Sequence, residues 1–183
     1  MYRRQLIIGG AAVGASLAAP AAWAATGKRP ELAGALPEHR LLGTARLTVY
    51  GFGVYDSRLW VAPGFNGENF ANQSFGLELD YLRDFKNEAI VERSLAEMQR
   101  FGTVTAERAS VWRLAMLRVI PNVKKGDRIM GVNAPGEGAT FWVNGQRAGD
   151  ITDAEFARLF FSIWLSPKTS QPKMRTALLA AAA

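Results

Sequence analysis

Between Arg46 and Phe52 apolar and polar side chains alternate, with Leu47 and Val49 set against Arg46, Thr48, Tyr50 and Phe52, the period of an extended strand. Gly51 and Gly53 mark a bulge or a close backbone approach in that stretch. A second extended run, "YDSRLWVA", ends at Pro63-Gly64. In "SFGLELDYL" the residues Phe75, Leu77, Leu79 and Tyr81 alternate with Gly76, Glu78 and Asp80, which predicts an antiparallel strand covered on one face and wet on the other.

The period then changes. After Asn87, a residue suited to cap a helix, Val91, Leu95 and Met98 recur at helical spacing up to Gly102. A second helix follows Thr105, with Ala109, Trp112, Met116 and Val119 on one stripe until Pro121 stops it. Strands return at "DRIMGV" and "ATFWVNGQRAGDI", where Asn144-Gly145 between two extended arms is a two-residue hairpin signal. Thr152 and Glu155 have capping-box spacing before Phe156, Leu159, Phe160 and Ile163, and a short helix ends the chain. Strands, helices, strands and helices in that order, with one apolar face per helix, predict an α+β fold: an antiparallel sheet with helices lying on it.

The first residues have another pattern. Arg3 and Arg4 precede an apolar run from Leu6 to Ala22, and Ala22-Trp23-Ala24 is a small-x-small cleavage pattern. A secretory signal, residues 1–24, removed after Ala24, is the expectation; the run is short of the roughly 20 residues that span a bilayer, and its Ala and Gly insert weakly. The paired arginines leave the twin-arginine and general routes both open. Either implies a periplasmic protein without a stable membrane anchor after cleavage. Residues 25–39, punctuated by Pro and Gly, read as a loose lead-in, and 40–183 as a single domain.

Charge and composition narrow the chemistry. Losing Arg3 and Arg4 lowers the formal charge from +6 to +4, and the remaining basic residues are spread rather than blocked, which argues against nucleic-acid binding. There is no cysteine, so disulfides and thiolate nucleophiles are excluded. His39 is the only histidine, in the exposed-looking "PEHR", which excludes a Ser-His-Asp triad and a multi-histidine metal site. No metal and no cofactor are expected, and the protein is expected to be a monomer.

The stretch "LLGTARLTVYGFGVYDSRLWV", with Val54-Tyr55 and Leu59-Trp60, resembles the paired opening strands of the chalcone isomerase superfamily. "YLRDF" (Tyr81 to Phe85), the "PNVKKGDRI" and "VNG" hairpin elements and "WLSP" follow in family order, so that the resemblance covers about residues 40–180 and is nearest to the bacterial exported group. It implies an open-faced β-sandwich, a large antiparallel sheet with a helical layer on one face. Similar proteins include isomerases that close a chalcone ring without a cofactor, plastid fatty-acid binders and noncatalytic auxiliary members, so the fold does not choose among them.

Arg46, Thr48 and Tyr50 are the candidate ligand-binding residues. If they form one polar row, a forked cation and two hydroxyls can hold an oxyanion; the alternative is that the row is the wet face of the sheet. The resemblance aligns the family's substrate arginine with Leu47, one residue away, and its threonine with Tyr50, while no residue of 88–120 matches its helix tyrosine and asparagine. No catalytic residue is assigned. Asp56 and Arg58 are expected to pair with each other or across the strand, and Asp84 to cap amides while Arg83 binds a carboxylate. Trp60, Phe85, Trp112, Phe160, Phe161 and Trp164 belong to the core or to a cavity between sheet and helices. The expected function is non-catalytic binding of a small amphipathic or acidic ligand, fatty-acid-like or an aromatic acid. One alternative is a cofactor-independent isomerase or lyase on an unsaturated carbonyl compound; another is a protein-interaction module without a small ligand.

Overall fold

The structure, a computed structural model, describes residues 28–180. The expected signal and its cleavage site lie outside the described residues. Six strands, β1 (Arg40–Val49), β2 (Phe52–Val61), β3 (Phe75–Tyr81), β4 (Arg128–Ala134), β5 (Gly138–Val143) and β6 (Gln146–Ile151), form one antiparallel sheet in chain order. Helices α1 (Asn87–Met98), α2 (Ala106–Val119), α3 (Ala154–Leu165) and α4 (Pro172–Leu179) complete the α+β fold. None of them is long and apolar enough to cross a membrane.

The main core lies between the inner sheet face and the helices. Phe75, Leu77, Leu79 and Tyr81 of β3 meet Phe156, Phe160 and Phe161 of α3, with Trp112 and Met116 of α2 behind them. The predicted stripes are therefore the buried ones, since helical spacing places their apolar residues over the sheet. Thr105 caps α2 through its bond from the Arg108 N–H at 3.3 Å. At α3 the cap is Asp153, which accepts the Phe156 N–H at 2.9 Å, instead of Thr152; its neighbour Glu155 bonds Arg158.

One turn departs from the sequence reading. Arg46 to Phe52 is not one strand: the chain reverses at Tyr50-Gly51, with φ of 50° and 81°. The Asn144-Gly145 turn has the same geometry, with φ of 50° and 84°. Asparagine and glycine adopt this left-handed conformation readily, whereas a tyrosine pays roughly 1–2 kcal/mol, which is why the first turn lacked the usual signature.

The outer face of β3 is not wet, and the described part of the lead-in is not loose. Residues 30–32 form a short 3-10 helix, and Leu32 and Leu36 pack on Trp60, Met130 and Val132 across the sheet's outer face. Gly76 permits this contact, because a Cβ there would sit 2.6 Å from Leu32 Cδ2. Beneath the segment lies Glu78, with 0% exposure, which accepts bonds from Arg29 at 2.7 and 2.9 Å, Arg58 at 2.9 Å and the Trp60 indole at 3.2 Å. Arg128 joins Glu78 to Glu31. His39 is half-buried: its Nε2 accepts the Arg29 N–H at 2.7 Å and its Nδ1 lies 2.7 Å from the Leu36 carbonyl. A buried carboxylate is tolerated only when paired, and the cations that pair with Glu78 draw the lead-in down.

Candidate functional site

A cavity of about 610 Å³ opens between the inner face of the sheet and helices α1 and α3, a size suited to a small molecule. Alternation along the strands supplies its apolar wall: Leu47 and Val49 from β1, Leu77 and Leu79 from β3, Ile129 from β4 and Phe141 from β5. Phe160, Phe161 and Trp164 of α3 close it from the other side. A bulge at Val54, between the pairs Leu47–Tyr55 and Thr48–Gly53, lets the consecutive residues Val54 and Tyr55 both face the cavity.

Few polar groups reach this space. Tyr55 accepts the Trp164 indole N–H at 3.0 Å, and its ring meets Tyr81 edge-on at 5.9 Å. Burial pushes the Tyr55 hydroxyl up to about 12, against the smaller opposing pulls of Trp164 and Arg93, and burial likewise raises that of Tyr81. Both phenols are thus protonated at neutral pH and available as donors. On α1, Arg93 bonds Glu97 at 2.5 Å. Glu97 is buried, and its Oε2 accepts no hydrogen bond although Arg100 Nε stands 3.7 Å away. Arg83 lies at the mouth, its guanidinium 5.3 Å from the centre of the Phe52 ring. Among the described residues no carboxylate pairs with Arg83, contrary to its expected architectural role. Asp84 does cap an amide, the Lys125 N–H at 2.8 Å.

The residues proposed from the sequence are not brought together around the cavity. Arg46 points to the opposite face and bonds Asp56 through two contacts of 2.6 and 2.7 Å. That hydrogen bond raises the Arg46 guanidinium and holds the Asp56 carboxyl below its usual range. Thr48 is exposed on the same outer face. Tyr50 sits in the turn, 96% exposed, and touches the cavity only at its mouth. The cause is the period of two: Leu47, where the resemblance places the family arginine, faces inward, so its neighbours Arg46 and Thr48 face outward. Arg58 bonds Glu78 and Asp80, so Asp56 and Arg58 are both paired across strands and not with each other. Of the aromatic residues, Phe85, Phe160, Phe161 and Trp164 line the cavity, while Trp60 is on the outer face and Trp112 in the core.

Sequence reasoning missed Arg83 and Arg93 as cavity residues. The signal for Arg93 was helical phase, since it lies between Ile90 and Glu97 on the cavity side of α1. Among the described residues no three His, Asp or Glu side chains are grouped so as to hold a metal ion.

A family model described as chalcone isomerase-like matches residues 41–180. The crystal structure of a fatty-acid binding protein from Arabidopsis thaliana superposes with a TM-score of 0.61 at 13% identity, over 78% of this chain and 87% of that one, a likeness of fold. No curated protein matches the sequence.

Proposed function

Since the chain belongs to the chalcone isomerase-like family, we propose that it binds a small amphipathic acid, with the apolar part in the cavity and the carboxylate at Arg83. The observation that carries this reading is an apolar cavity with an arginine at its mouth that no carboxylate of the described residues neutralises. Arg46 is paired on the other face and Arg93 is paired with Glu97, which leaves Arg83 to supply the forked, charge-assisted donors that a carboxylate accepts. The fatty-acid binding protein of like fold supports the ligand class. Titration of the delipidated protein with dodecanoate, followed by tryptophan fluorescence or calorimetry, tests it. Arg83→Ala weakens binding by about 1.5–3 kcal/mol, the contribution of a charged hydrogen bond, and Arg46→Ala leaves it unchanged. Binding that Arg83→Ala does not alter would overturn the assignment.

One observation favours the isomerase alternative. Glu97, with a buried oxygen lacking a hydrogen bond, and the protonated Tyr55 line the same cavity, and a carboxylate base beside a phenol donor suits proton abstraction next to a carbonyl. Against it, Glu97 is already engaged by Arg93 at 2.5 Å, with Arg100 at 3.7 Å. Chalcone cyclisation above the uncatalysed rate, lost in Glu97→Gln, would establish the alternative.

The site of action proposed is the periplasm, after removal of residues 1–24; the arginine pair, the apolar run and the Ala22-Trp23-Ala24 pattern support it.

A further inference from the structure

The meander places two turns of equal geometry at one end of the sheet. In the turn at Asn144 the left-handed residue works within the protein: its Oδ1 accepts the Arg128 N–H at 2.8 Å and its Nδ2 donates to Asp127 at 3.0 Å. In the other, Tyr50 occupies a conformation unfavourable to it and holds its ring away from the protein, 96% exposed. Phe52 and Val49 beside it are 63% and 43% exposed. The three form an apolar tip, and each also lines the mouth of the cavity.

The loops that close this end of the sheet are basic. Arg83 stands against Phe52, and Lys86, Lys124 and Lys125 are exposed in the two neighbouring loops, which the Phe85–Val123 bridge holds together. Of the acidic residues at this end, Asp80 and Glu31 are paired with Arg58 and Arg128, and Asp84, Asp127 and Glu88 lie in or beside the loops. Asp84 and Asp127 accept the Lys125 and Lys124 amides at 2.8 Å each, and among the described residues neither lysine ammonium is in ion-pair contact with them. Aromatic rings at the tip with cations set behind them are the arrangement that seats in the headgroup region of an anionic bilayer, where ring and phosphate layers are met together.

We infer that this end of the molecule is a contact for an anionic lipid surface. Tyr50 and Phe52 enter the headgroup layer, Arg83, Lys86, Lys124 and Lys125 lie over the phosphates, and the cavity mouth opens onto lipid. An amphipathic acid then passes between bilayer and cavity without crossing water. The route of the ligand rests on the binding reading above; the surface contact does not.

The test is co-sedimentation of the delipidated protein, lacking residues 1–24, with vesicles of phosphatidylglycerol and phosphatidylcholine in equal parts, and with phosphatidylcholine vesicles alone. The wild type partitions onto the mixed vesicles and weakly onto the neutral ones. Tyr50→Asn with Phe52→Thr, which gives the first turn the residue of the second, reduces partition about tenfold or more, while far-ultraviolet circular dichroism and thermal unfolding show that the fold is kept. Lys124→Gln with Lys125→Gln removes the preference for phosphatidylglycerol. Absence of wild-type partition, or equal partition of the tip variant, overturns the inference. Concentration-dependent self-association abolished by the tip variant, without vesicle binding, assigns the tip to a second copy of the chain and overturns it too. Vesicle binding that persists without any dodecanoate binding defeats the ligand reading alone, and the converse defeats the surface alone.

Discussion

Arg29, eleven residues before the first strand begins, closes two hydrogen bonds on the fully buried carboxylate of Glu78 in the third. The pairing fastens the lead-in over the outer sheet face, with the Arg29 guanidinium 4.8 Å from the centre of the Trp60 ring. Arg29→Ala is expected to lower the unfolding free energy by about 1.5–3 kcal/mol. Glu78→Ala, which leaves three arginines facing one another, is expected to cost about 3–5 kcal/mol. Urea denaturation followed by tryptophan emission measures both, and an Arg29→Ala midpoint equal to wild type would show that the Arg29 pairing adds no stability.

Asp153 caps α3 and also accepts the Trp112 indole N–H at 2.9 Å. Burial pushes its carboxyl up, but the bonds from the Phe156 amide, the Trp112 indole and the Glu155 amide outweigh it and hold it below the ordinary carboxylate range. Its depressed folded value means that the stability it contributes is complete above the ordinary range and is lost as the pH falls through the folded value. Asp153→Ala is expected to cost about 1–3 kcal/mol at neutral pH, from the lost cap and the unpartnered indole. Asp153→Asn keeps the cap and flattens this part of the acid limb; thermal unfolding across an acid pH series measures the change in slope.

The Arg46–Asp56 pair is exposed and belongs to the outer face. Exposed pairs are screened by water and salt and contribute little, so Arg46→Ala is expected to unfold at the wild-type urea concentration and to bind dodecanoate as the wild type does. A loss of binding would return Arg46 to the site.

Export makes a prediction at a defined atom. Mass analysis of the protein from whole bacterial cells is expected to find Ala25 at the amino terminus, in the periplasmic fraction. A full-length chain in the inner membrane would refute it. Export that persists when Arg3 and Arg4 are both lysine would assign the general route and exclude the twin-arginine one.

What was legible in the sequence follows from what is local. The Asn144-Gly145 hairpin and the stripes of α2 and α3 are written in adjacent residues. The first turn is equally local but carries Tyr50 where Asn or Gly is the usual sign, so the first strand reads through to Phe52, past the reversal. Face assignment turns on something else: Arg46 and Thr48 lie opposite Leu47 and Val49 with or without the reversal, and the alternation does not record which of the two faces the helices cover. The burial of Glu78 was illegible for another reason. Its covering segment comes from residues 28–39, far away in the chain, and no periodicity within β3 records what lies across it.

The last helix is pressed against the first strand. A Cβ at Gly43 would stand 2.4 Å from the carbonyl oxygens of Ala177 and Leu178, so β1 is completed by α4, the described element farthest from it in sequence. A growing chain holds the first strand without this cover until residues 172–179 have been made, and any truncation that removes α4 uncovers β1. Closure of the sheet's first edge therefore waits on a helix that lies beyond all the other strands and helices in sequence order.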